Sequence, residues 1–129
     1  MRRVFLAALL AAAAAGGCGP AAPTLAGGKP VGQWVASLHD PDARVRKEAA
    51  RELGNVGTAD PAALPALKAA LKDPDAGVRC EAILALVKSP AAAKDAVPTL
   101  TDLQQNDPDP KVRSDAGRAV ERIQGGKGS

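Results

Sequence analysis

The fold this sequence predicts is all-α, an α-solenoid of about three helical hairpins, and three observations carry the prediction. The string DPDxxVR occurs three times, at Asp40–Arg46, Asp73–Arg79 and Asp107–Arg113, with spacings of 33 and 34 residues. Each copy is followed at the same offsets by an acid, an alanine and a branched apolar residue: Glu48, Ala49 and Leu53; Glu81, Ala82 and Leu86; Asp115, Ala116 and Val120. A chain of 129 residues that is 46% hydrophobic but only 2% aromatic can build one small helical core and no large enzyme.

From the N-terminus, residues 1–17 read as a signal peptide. Arg2 and Arg3 precede an apolar run from Val4 to Ala15, whose helix of roughly 18 Å falls short of a ~30 Å hydrocarbon core. Ala15-Gly16-Gly17-Cys18 resembles a bacterial lipobox, which implies that Cys18 is lipidated and becomes the new N-terminus. An ordinary secretory signal, cut at Ala13–Ala15 or after Ala26, is the alternative, and Arg2-Arg3-Val4-Phe5-Leu6 is similar to the core of a twin-arginine export motif. Residues 18–30 are small, proline-punctuated and almost uncharged, so they are expected to form a flexible tether behind the anchor.

The 17 basic and 14 acidic residues give a net charge of +3, but without Arg2 and Arg3 the balance is 15 to 14. So even a balance lacks the electrostatic footprint of a nucleic-acid binder.

Residues 31–124 are expected to hold the repeats, at about 31–57, 61–90 and 94–124, with 125–129 a flexible tail. Helix A of each carries an apolar pattern: Trp34, Val35 and Leu38; Leu64, Leu67 and Leu71; Val97, Leu100 and Leu103. Pro65 and Pro98 fall near helix starts, where proline is tolerated. Helix B of the first repeat places Val45, Ala49, Leu53 and Val56 in a stripe about 80° wide. Asp40, Asp73 and Asp107 are expected to cap the B helices, with Pro41, Pro74 and Pro108 at the first helical position and Gly54, Gly57 and Pro90 marking helix ends.

Tandem helix pairs with DPxxxVRxxA at the turn between them resemble HEAT repeats, of the short bacterial kind also seen in phycobilisome-lyase-type proteins. The resemblance covers about Val31 to Gln124. It implies a right-handed solenoid whose B helices line a concave surface, with each pair burying its face against its neighbours.

The recurrent Arg46, Arg79 and Arg113 lie about 160° around the helix from Glu48, Glu81 and Asp115, so they cannot pair within one helix. They are expected to meet those acids between adjacent repeats as a ladder that sets register. Cys80 aligns with Lys47 and Ser114 and is expected to be a surface thiol. Lys47, Arg51, Leu84, Lys88, Arg118 and Arg122 fall on outward B-helix positions and form the candidate partner-binding strip, modestly basic around one apolar residue. His39 aligns with Lys72 and Asn106 and has no His-Glu pair beside it, so no metal, cofactor or catalytic residue is assigned.

These readings describe a monomeric, non-catalytic adaptor that binds an envelope protein partner. It is exported and lipid-anchored at the bacterial cell envelope, on the periplasmic or outer surface, or else secreted and soluble. A cofactor-handling relative of the lyase-type proteins and a structural spacer are the alternatives.

Overall fold

The computed structural model describes residues 25–125, in which six helices follow one another as three hairpins. The pairs are α1 (Val31–Ser37) with α2 (Ala43–Val56), α3 (Ala63–Ala70) with α4 (Ala76–Leu86), and α5 (Val97–Asn106) with α6 (Pro110–Gln124). Residues 1–17, expected to be a signal peptide, Cys18 and residues 126–129 lie outside the described residues. Short 3-10 turns at Gly57–Ala59 and Lys94–Ala96 lead from one hairpin to the next. Repeats adhere chiefly through their B helices, α2 on α4 and α4 on α6. The extra residue of the third repeat lengthens helix A, which runs on to Asn106 where α3 stops at Ala70.

The predicted apolar positions form a continuous core with the exception of Val45, which is only part-buried where its equivalents Val78 and Val112 are fully buried. Leu53, Leu67, Leu71, Ile83, Leu86, Leu100, Val78 and Val112 are fully buried, and each such side chain contributes about 1.5–3 kcal/mol through removal from water. Alanines at 49, 50, 82, 85, 116 and 119 are buried between them. Small residues let the helix backbones approach closely, which is how a core with so little aromatic volume reaches native packing density.

Gly54 shows how close that approach is. It lies inside α2 rather than at its end, and a Cβ placed there would sit 2.6 Å from the Ala85 Cβ of α4. The helix ends at Gly57, whose φ of 55° is a backbone conformation that side chains disfavour.

Leu25 to Pro30 were expected to belong to the tether and instead form a hairpin. β1 (Leu25–Ala26) pairs antiparallel with β2 (Lys29–Pro30) across Gly27 and Gly28, both at positive φ, as a two-residue primed turn requires. Trp34 Nε1 donates to the Ala26 carbonyl at 2.6 Å, and Lys29 Nζ lies 4.4 Å from the Trp34 ring centroid. The hairpin covers the buried Trp34 and packs on α2, on the side of the first repeat where no helix pair precedes it among the described residues.

The turn motif works differently from the expected cap. In each repeat the second aspartate caps helix B: Asp42 accepts from the Arg44 amide, Asp75 from Val78, and Asp109 from Lys111 and Val112. Asp40, Asp73 and Asp107 each accept instead from the amide two residues on, at 2.8, 2.9 and 2.9 Å. The motif prolines Pro41, Pro74 and Pro108 therefore lie in the turn, ahead of helices that begin at Ala43, Ala76 and Pro110. Only Pro110 takes the first helical position.

The carboxylates of Asp73 and Asp107 receive the arginines as well as these amides, so the ladder exists with other acids than expected. Arg46 grips Asp73 bidentately through Nε and Nη2, at 2.8 and 3.1 Å, and Arg79 grips Asp107 at 2.8 and 2.9 Å. The remaining Nη1 of each arginine turns back to its own turn, to the carbonyls of Asp40 and Pro41 or of Asp73 and Pro74. Arg113 binds the Asp107 and Pro108 carbonyls in the same way. Its longer reach puts each guanidinium at the turn, away from Glu48, Glu81 and Asp115, which sit two residues on and face another side of the helix.

Burial alone would raise the Asp107 carboxyl, but the Arg79 guanidinium and the Asp109 amide outweigh it and hold it below the usual carboxylate value. A depressed native pKa stabilises the fold above the unfolded value and loses that contribution as acid protonates the group. Asp107→Asn keeps the turn bond but leaves Arg79 buried without a counter-charge, and is expected to cost about 3 kcal/mol in urea unfolding. Asp109→Ala, which removes only a cap, is expected to cost about 1 kcal/mol. The Asn variant should also lose less stability than wild type between about pH 5 and pH 3. Equal costs for the two variants would contradict this division of roles.

Gly54→Ala gives a second check. It gains about 1 kcal/mol of helix propensity, yet pushes α2 against Ala85 at a cost of about 1–3 kcal/mol. The urea midpoint is expected to fall; a higher midpoint would show that this contact does not set the α2–α4 spacing.

Candidate functional site

Helices α2, α4 and α6 present their outward positions side by side. Lys47, Arg51, Leu84, Lys88, Arg118 and Arg122 are all exposed, with Leu84 at 45%, the most exposed large apolar side chain after Leu25. The helical period that buries Leu53, Ile83 and Leu86 turns these residues outward.

Two shallow cavities follow the junctions between the helices. The first, about 280 Å³, is bordered by Lys47, Gly77, Cys80, Glu81, Leu84 and Lys111. The second, about 190 Å³, is bordered by Ile83, Leu84, Val87, Asp115, Arg118, Ala119 and Arg122. Leu84 belongs to both.

Ion pairs and hydrogen bonds subdivide the strip in a way the wheel did not show. Arg51 Nε meets Glu81 at 3.4 Å across α2 and α4, and Lys88 Nζ donates to Asn55 Oδ1 at 2.8 Å. Lys111 meets Asp115 one turn along α6 at 2.6 Å, and that bond leads the causes that raise the Lys111 pKa. Glu81 and Asp115 are therefore engaged by Arg51 and Lys111, not by the turn arginines. Each of these pairs is exposed on at least one side and is worth at most about 1 kcal/mol.

Cys80 is buried, at 8% exposure, which corrects its assignment as a surface thiol. Its neighbours on the wheel are exposed at Lys47 and Ser114, but α6 packs over position 80 and brings Lys111 and Asp115 against it. Burial pushes the thiol pKa up, and the Asp115 carboxylate adds to the shift. This packing across repeats leaves no signal in a single-helix projection.

On the A-helix side, His39 and Lys72 border a cavity of about 220 Å³ lined by Val35, Leu38 and Ala66. Among the described residues, no three His, Cys, Asp or Glu side chains are grouped to hold a metal ion, and no helix is long and apolar enough to cross a membrane.

Comparison with known proteins gives one family match, to HEAT repeats, over residues 32–121. Among similar solved structures is the crystal structure of an engineered protein, 32% identical with a TM-score of 0.56, covering 74% of this chain and 46% of that one. This chain thus spans about half the length of that protein. Comparison with curated proteins gives no match.

The buried thiol is open to test. In a Cys18→Ser background, Cys80 is the one remaining cysteine, and a thiol-specific reagent should modify it at least about tenfold more slowly in the native chain than in urea. Equal rates would place Cys80 at the surface.

Proposed function

We propose that this chain, which belongs to the HEAT repeat family, is a non-catalytic scaffold that binds a protein partner through its exposed B-helix face. The observation that carries the reading is that face itself. Three adjacent helices spend their inward positions on packing and leave an outward strip of arginine and lysine around a half-exposed leucine. Interfaces favour such a combination, because an apolar centre anchors while arginine reads carboxylates at the rim.

The place of action in this reading is the bacterial cell envelope. Its support is the sequence of residues 1–18, with a lipid on Cys18 as the anchor and the segment ahead of the hairpin as the tether. The partner is accordingly an envelope protein.

A photocrosslinking amino acid placed in turn at position 47, on the B-helix face, and position 72, on the A-helix side, tests the face in native membranes. The expected result is a discrete adduct from position 47 that disappears when Arg118→Glu is added, and none from position 72; the reverse pattern would move binding to the A helices. Cys18→Ala is expected to leave unprocessed precursor, and a mature N-terminus beyond residue 18 in wild type would remove the lipid from the reading.

A further inference from the structure

The two junctions between B helices use equivalent positions and differ in what they leave open. At the first, Arg51 is held by Glu81, while Lys88 from α4 reaches back to Asn55. At the second, position 84 is a leucine where position 51 is an arginine, and Asp115, the equivalent of Glu81, is held by Lys111 of its own helix. Leu84 therefore has no polar business across the junction. Arg118 and Arg122 have neither an ion pair nor a hydrogen-bond partner among the described residues.

Those two arginines are one helical turn apart, so their guanidinium groups share a face although like charges at this spacing repel. Both border the 190 Å³ cavity, whose other lining residues are Ile83, Leu84, Val87 and Ala119 and the Asp115 already paired with Lys111. An apolar lining beside two unneutralised guanidinium groups is complementary to an apolar side chain that travels with a carboxylate. A polyanion fits poorly, because the chain without Arg2 and Arg3 carries 15 basic against 14 acidic residues.

We infer that the α4–α6 groove is the recognition site of the B-helix face, and that its occupant is a short acidic segment of a partner protein. An apolar residue of that segment packs on Leu84 and Val87 while a neighbouring Asp or Glu is held by Arg118 and Arg122. The inference rests on the scaffold reading and narrows it to one junction and one chemistry.

The test is titration of the isotope-labelled chain with a short synthetic peptide rich in Leu and Glu, followed by amide and arginine side-chain resonances. Matched peptides carry Gln for Glu or Ala for Leu, and a single-stranded oligonucleotide serves as a polyanion. Expected are shifts concentrated at Leu84, Val87, Arg118 and Arg122, and binding weakened about tenfold or more by Arg118→Gln with Arg122→Gln and by either peptide change. Lys47→Gln with Arg51→Gln is expected to leave binding within about twofold.

Equal weakening from the Lys47 and Arg51 pair would overturn the groove and leave the face as a whole. Shifts on α1, α3 or α5 would overturn both readings. Absence of any shift at millimolar peptide, or oligonucleotide binding as tight as the peptide's, would overturn the groove. Unchanged melting temperatures confirm that the glutamine variants are folded when these comparisons are made.

Discussion

Everything above the single hairpin depends on how one arginine joins two turns. Arg46 and Arg79 each hold the backbone carbonyls of their own A-to-B turn with one nitrogen and the carboxylate of the next turn with two others. Three atoms of one guanidinium thus tie the geometry inside a repeat to the geometry between repeats. Side-chain exposures of 10% for Arg79 and 3% for Asp107 mean that the charges are desolvated. A desolvated pair adds little over a well-packed apolar pair, but removal of either member leaves a buried charge. Its contribution is register: a repeat shifted by one helical position forfeits both bonds.

The relay also marks the two ends of the described solenoid. The Asp40 carboxylate accepts from the Asp42 amide and receives no arginine among the described residues, and Arg113 holds its own turn with one nitrogen while its bidentate edge has no partner among the described residues. The ends are otherwise not alike. The first repeat is closed by the hairpin, whose Gly27 lies against Glu52 and Trp34. On the third, position 121 is a glutamate where the first repeat has Gly54, and Gln104 lies over Gly117. At position 121 the third repeat thus presents a charged side chain where the first makes a close helix contact.

The amount of this that was legible in the sequence follows from range. Helix number, order and inward stripes were legible because they rest on local period and on a motif repeated in register; Leu53, Leu67, Leu86 and Leu100 are buried as the spacing requires. The outward placement of Arg51, Leu84 and Arg118 was legible for the same reason. The roles inside DPDxxVR were not, because two aspartates one residue apart compete for one cap. The choice falls to Asp42, Asp75 and Asp109 because the first aspartate of each copy turns its carboxylate onto the amide two residues on, in the first repeat without any arginine on that carboxylate. Cys80 was misplaced because the residues that bury it stand about 30 positions further on, at Lys111 and Asp115. The hairpin was hidden by composition: Gly27 and Gly28 suit a tether and a primed turn equally, and only Trp34 at the other end of the Ala26 bond decides between them.

A division of labour follows from where the inter-repeat bonds are made. Because the turn motif fixes register at one edge of the stack, and small residues such as Gly54 and Ala85 fix the spacing, the outward B-helix positions are released from any structural duty that must repeat. They are free to differ between repeats: Arg51, Leu84 and Arg118 occupy one column, and Asn55, Lys88 and Arg122 the next. Divergence there alters the exposed surface without disturbing the pairing that holds the repeats together. That is how junctions built on one plan become closed at α2–α4, where Arg51 and Lys88 bridge, and open at α4–α6, where Leu84 meets no polar partner and two arginines remain facing solvent. The asymmetry of this small solenoid therefore lies in its surface, while its scaffold stays periodic.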